Sequence, residues 1–248
     1  TSLSITLALS LLTTGVQAHD HENQSSTKSA DTTTAEIKSK YQRPTFTGSG
    51  PIERQALLQQ LTSGKPLSTA EQRQLMLLQL AMFANAKEQS LKPLEAIADS
   101  LQAHLKVMKN DFEIMAALGS ALSLQSIFYQ RNLGKMNYLA RKGMRYMDRA
   151  VKKAPDHLGV RLLRGLSYAN MPAFLNRASF AEKDLTLLKA QMAAHSDAAF
   201  SQFIDYYLAM ALVKNKKADQ AKGLWTQLAD NKTSVWASKA SEQLKGHF

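Results

Sequence analysis

The chain has 248 residues, 44% of them apolar, with 11 Gly, 6 Pro and no Cys. That is enough material for one large domain or a short array of repeats, and the absence of Cys excludes disulfides, thiolate zinc sites and Cys nucleophiles. The formal net charge is +11, so the charge favours an anionic partner.

Residues 1–18 read TSLSITLALSLLTTGVQA. Leu3 to Leu12 form an apolar core too short to span a bilayer, and Val16-Gln17-Ala18 is a small-x-small cleavage site. This predicts a signal peptide cut near Ala18 and a periplasmic or secreted protein. No Cys follows the apolar run, which excludes a lipoprotein anchor, and no later stretch is apolar enough to predict a membrane span. Residues 19–50 are rich in Ser and Thr and poor in aliphatics, and are expected to form a disordered polar leader. Its four acids and four bases cancel, so the whole +11 falls on residues 51–248.

From Pro51 onward the helical period dominates. Pro51 opens a short helix through Leu57, Leu58 and Leu61, which Gly64-Lys65-Pro66 ends. Ser68 with Glu71 three residues on makes a capping box for a helix to about Lys87. Pro93 sits in the first turn of the next, and Asn110-Asp111 marks a turn. Further helices are predicted around 111–130, 135–154, 157–171, 178–195, 197–214, 217–230 and 233–245. Ten short helices with brief turns predict an all-α fold of antiparallel pairs.

The stretch DRAVKKAPDHLGVRLLRGLSYA carries a repeat signature. Ala150 stands five residues before Pro155, and Gly165 and Tyr168 follow at ten and thirteen residues beyond that Pro. This resembles the tetratricopeptide repeat, in which a small residue lets paired helices approach, a Tyr fills the space beside it and a Pro stops the preceding helix. Arg164 stands where that family carries Leu before the Gly. Weaker copies occur at Leu80-Ala81, Leu118-Gly119 and Leu208-Ala209. The resemblance implies a right-handed α-solenoid of about four helix pairs plus capping helices over residues 51–248. Arg161-x2-Arg164, Asn170-x-Pro172-x-Phe174-Leu175 and the later Asp184 together resemble a group of exported bacterial repeat-like proteins over about residues 110–190, a resemblance that brings no catalytic residues.

Two constellations are candidate sites. Arg161 and Arg164 lie three apart on one helix face, followed by Tyr168, Asn170, Pro172 and Phe174 in an elbow and by Asp184 on the next helix. Either the arginines clamp an anionic ligand or at least one pairs with Asp184, the pairing being the expectation for a buried charge. Phe174 and Leu175 are expected to plug the elbow. The second constellation is a basic stripe. Residues 131–164 carry ten Lys and Arg against two acids. Lys135, Arg141, Lys142, Arg145, Arg149 and Lys152 are the partner-binding candidates, opposite a packing face that includes Gly143, Met147 and Ala150.

Of the six His, none forms a metal-ligand pair at helical spacing. The one metal candidate is the mature terminus His19-Asp20-His21, whose amine, amides and imidazole suit Cu(II) or Ni(II). No nucleophile elbow, Walker loop or dinucleotide fingerprint is present in the sequence. The expectation is a non-enzymatic, cofactor-free exported scaffold that binds a protein or an anionic envelope component. Nucleic acid is disfavoured by export. The alternative is a small-anion binding or transport-accessory protein using the Arg161/Arg164 elbow.

Overall fold

The structure is a computed structural model that describes residues 40–48, 50–193, 198–232 and 236–247, with backbone alone at 198 and 199. The expectations for the signal peptide, for residues 19–39 and for a metal at His19 and His21 lie outside the described residues.

The described residues are all-helical. Ten α-helices follow one another: α1 (Pro51–Leu61), α2 (Thr69–Asn85), α3 (Leu91–Val107), α4 (Phe112–Gln125), α5 (Leu133–Lys153), α6 (Leu158–Asn170), α7 (Ala178–Met192), α8 (Ala198–Lys214), α9 (Ala218–Asp230) and α10 (Ala237–His247). Short 3-10 turns occur at Ser126–Tyr129 and Ala173–Leu175. Local chemistry sets the starts. The Glu71 N–H donates to the Ser68 hydroxyl while Glu71 accepts from the Ser68 N–H at 2.8 Å, closing the capping box of α2. Asp111, Asn132 and His157 cap α4, α5 and α6 with their side chains.

Each helix packs on the next in the chain, and α2, α4, α6 and α8 also touch in succession. The closest crossing is α4 on α5. A methyl group on Gly119 would lie 2.7 Å from the Gly143 carbonyl oxygen, and one on Gly143 would lie 2.4 Å from that of Gly119. Only two facing glycines let these backbones meet. Two buried clusters fill the molecule. One runs from α2 to α6 through Leu80, Leu94, Leu101, Ile114 and Leu118. The other runs on to α10 through Tyr168, Phe203, Tyr207, Trp225 and Trp236. Fully burying one such side chain is worth about 1.5–3 kcal/mol. One stretch of the described residues, Phe112–Tyr129, is long and apolar enough to cross a membrane, and 67% of it is buried within the fold.

The end of the expected leader needs a correction. Residues 40–48 lie against the helices as a strap. The Gln42 N–H donates to the Asp156 carbonyl at 3.0 Å, and the Leu158 N–H donates to the Gln42 carbonyl at 2.7 Å. The Thr45 N–H and hydroxyl donate to Glu113 at 3.0 and 2.5 Å. Few aliphatics predicted disorder, but the strap is held by polar bonds to an open helix start, which hydropathy does not report.

Candidate functional site

The α6–α7 pair carries the predicted arginines. Gly165 lets α7 come close: a methyl group there would lie 3.0 Å from Leu185 and 3.4 Å from the Asp184 Cβ. Asp184 faces α6 and is fully buried. Arg164 meets it with a fork, Nε to Oδ2 at 2.7 Å and Nη2 to Oδ1 at 3.0 Å. Arg161 adds Nη1 to Oδ1 at 2.8 Å and also donates to the Pro155 carbonyl. Asp148 of α5 ties the network off. It accepts from Arg164 at 3.1 Å, from the Tyr168 hydroxyl at 2.9 Å and from Arg177 at 3.3 Å. Burial works against the charge on Arg164, but Asp184 outweighs it and holds the guanidinium pKa above its ordinary value. Burial and the Asp148 charge push the Tyr168 phenol upward as well. Both predicted arginines thus spend their donors inside the fold.

The elbow is built differently from the expectation. Pro172 ends α6 and Asn176 turns the chain in the left-handed region at φ 55°. Leu175 packs against the core, but Phe174 is 78% exposed and plugs nothing. The Pro places a tight 3-10 turn here, and three residues cannot aim both apolar side chains inward. Asn170 donates to the Leu166 carbonyl at 2.7 Å within its own helix. The end of α6 is closed from α8 instead, where the Lys214 ammonium donates to the Ala169 carbonyl and, at 2.8 Å, to that of Met171. Burial pulls the Lys214 pKa down to about 8.

The basic stripe stands on α5. Lys135, Arg141, Arg145, Arg149 and Lys152 are exposed and Lys142 is half-buried. No ion pair within 4.0 Å engages any of these six among the described residues, whereas the one carboxylate of this helix, Asp148, serves Arg164 and Arg177. Two of the six lie over rings: Lys135 at 4.0 Å from the centre of Tyr129 and Lys142 at 5.6 Å from that of Tyr138. Gly143, Met147 and Ala150 form the buried side of the same helix.

A third constellation escaped sequence reasoning. Arg73 of α2 donates to Asp111 at 2.7 and 3.1 Å, to Glu113 at 2.6 Å and to the Thr45 hydroxyl. His104 Nε2 shares Oδ2 of Asp111 with Arg73 at 3.0 Å, and His157 stands 3.8 Å from Glu113. A methyl group on Gly159 would lie 1.9 Å from Glu113 Oε1, so only Gly admits the carboxylate to the start of α6. Burial raises the pKa of Asp111, but Arg73, the Ile114 N–H and His104 outweigh it and hold the acid below its usual range. Burial lowers the pKa of His157, and the Glu113 charge opposes that without cancelling it. The network floors a cleft of about 1130 Å³ between the α3–α4 and α5–α6 turns, with Lys40, Lys109 and Lys153 at its sides. Arg73 lies 38 residues from Asp111. The one local signal was the unusual density of polar residues around the predicted Asn110-Asp111 turn.

Among the described residues, no group of three or more His, Asp or Glu converges as metal ligands. No family model, curated protein or solved structure matches this chain.

Proposed function

We propose that this protein is an exported, non-enzymatic scaffold, built as a solenoid of antiparallel helix pairs like the tetratricopeptide repeats, which holds an anionic partner on α5. The contrast between two sets of cations carries the reading. Arg161 and Arg164 are consumed by Asp184 and Asp148, while the six stripe cations among those of α5 lack an ion pair among the described residues. Unpaired like charges aligned on one helix repel one another, at a cost that an anionic partner removes. The small-anion alternative loses its clamp, because a ligand at the elbow would have to displace a buried bidentate carboxylate. The succession of α2, α4, α6 and α8 supports the solenoid arrangement. The N-terminal apolar run and cleavage site support export to the periplasm or beyond.

The test is retention on immobilised heparin. The wild type elutes at raised salt, and the variant K142E/R145E/R149E flows through with an unchanged melting temperature. Equal retention of variant and wild type removes α5 as the binding surface.

A further inference from the structure

We infer that the cleft between the α3–α4 and α5–α6 turns binds a small organic phosphate, a phosphomonoester carried on an apolar body. The inference goes beyond the anionic-partner reading and does not rest on it, because the cleft uses none of the six stripe cations. Four cations and two acids line it: Lys40, Arg73, Lys109 and Lys153 against Asp111 and Asp156. The floor is balanced within the fold. Arg73 forks Asp111 at 2.7 and 3.1 Å, and Glu113 engages its oxygens with Arg73 and Thr45. Lys40 stands 4.0 Å from Asp156, both of them part-exposed. Two charges remain, those of Lys109 and Lys153. Both are exposed, and neither has an ion pair within 4.0 Å among the described residues.

A third donor belongs to His157. Its Nδ1 accepts from the Gly159 N–H at 3.2 Å, so the neutral ring carries its proton on Nε2. Glu113 lies 3.8 Å from that Nε2, too far for a hydrogen bond. The unengaged donors are therefore two ammoniums and one imidazole N–H, brought to one cleft by three separate segments. Planar carboxylates suit guanidinium forks, and the forks of Arg73 and Arg164 already hold one each. Lysines act as point charges that meet a tetrahedral phosphate from different directions. Two free charges also match the charge of about −1.5 to −2 on a phosphomonoester at neutral pH.

The lip selects the organic part. Val107, 80% exposed, and Met108, 48% exposed, stand just before Lys109 and line the same cleft. Apolar side chains beside free ammoniums suit a molecule with a charged head and an apolar body. The volume of about 1130 Å³ is on the scale of small-molecule sites and far exceeds what a bare ion fills.

The experiment is isothermal titration calorimetry of the protein with phenyl phosphate, inorganic phosphate and benzoate, with circular dichroism confirming folding of each variant. Phenyl phosphate is expected to bind about tenfold more tightly than inorganic phosphate, through the apolar lip, and more tightly than benzoate. K109A/K153A weakens phenyl phosphate by at least about tenfold per lysine. V107S/M108S weakens phenyl phosphate and leaves inorganic phosphate unchanged. K142E/R145E/R149E leaves all three affinities unchanged. Dihexanoyl phosphatidic acid, kept below its micellar concentration, distinguishes the source. Tighter binding than phenyl phosphate assigns the site to a lipid headgroup, and weaker binding to a soluble monoester. No saturable heat with phenyl phosphate, benzoate or inorganic phosphate bound as tightly, or an affinity untouched by K109A/K153A overturns the inference. Loss of binding in K142E/R145E/R149E also overturns it, by moving the site to the stripe. Heparin retention by α5 stands or falls separately.

Discussion

Arg164 and Asp184 face each other as a fork and a fully buried carboxylate, with bonds of 2.7 and 3.0 Å. Removing the acid leaves two guanidiniums inside the α6–α7 packing with part of their compensation gone. Asp184→Ala is expected to lower stability by about 3–5 kcal/mol, the cost of breaking a buried pair. Urea unfolding measures it, and a midpoint equal to that of the wild type would show the fork to be structurally idle.

Gly159 and Glu113 make a prediction in the opposite sense, of added volume. The carboxylate cannot swing away from a new methyl group, because Thr45 and Arg73 hold both of its oxygens. Gly159→Ala should cost about 1–3 kcal/mol as overpacking. In a Glu113→Ala background the same substitution should cost less, and a double-mutant cycle reads that coupling. Strict additivity would mean that the two residues do not press on each other.

Acid should weaken this end of the molecule through His157. Its folded pKa lies below the ordinary 6.5 because of burial, with Glu113 and Asp111 opposing and Arg73 reinforcing the shift. Above pH 6.5 the imidazole is neutral in both states and contributes no pH dependence. Below it the unfolded chain takes the proton first, so stability falls until the lower folded pKa is reached. Asp111 acts in a separate, more acidic window: its folded pKa is depressed, so its contribution is present above 3.8 and is lost as pH falls through the lower folded value. Denaturation midpoints between pH 7.5 and 5 should drop for the wild type and stay flatter for His157→Gln. Parallel curves for the two proteins would assign the acid sensitivity to another group.

Lys214 closes the carbonyl end of α6 from a helix 44 residues later, counted from Asn170. Lys214→Met keeps the aliphatic stem and loses the donors. The expected loss is about 1.5–3 kcal/mol, the range for hydrogen bonds to a charged group. Amide exchange of the last turn of α6 should quicken in the variant, and an unchanged rate would show that solvent caps that end equally well.

The arginine site was half legible in the sequence. Arg161 and Arg164 could be placed on one face from their spacing alone, and Asp184 was the acid in reach. Whether the three would meet was decided by the α6–α7 packing, which buries Asp184 fully and carries both arginines onto it. The polar strap and the Arg73 network were illegible. Their partners are separated by tens of residues, and each carries too little hydropathy or periodicity to announce a contact.

By itself the sequence determined the helices and their order, because these follow from local terms, the apolar period, the Ser68–Glu71 box and Pro172, while the end of α4, expected near 130, falls at Gln125 before a 3-10 turn. It also determined the charge of α5. Only the tertiary structure decided which cations are spent and which remain. That depends on which carboxylates the packing carries to them. Gly159 admits Glu113 and the α6–α7 packing buries Asp184, while among the described residues the outer face of α5 receives no acid within 4.0 Å of its stripe cations.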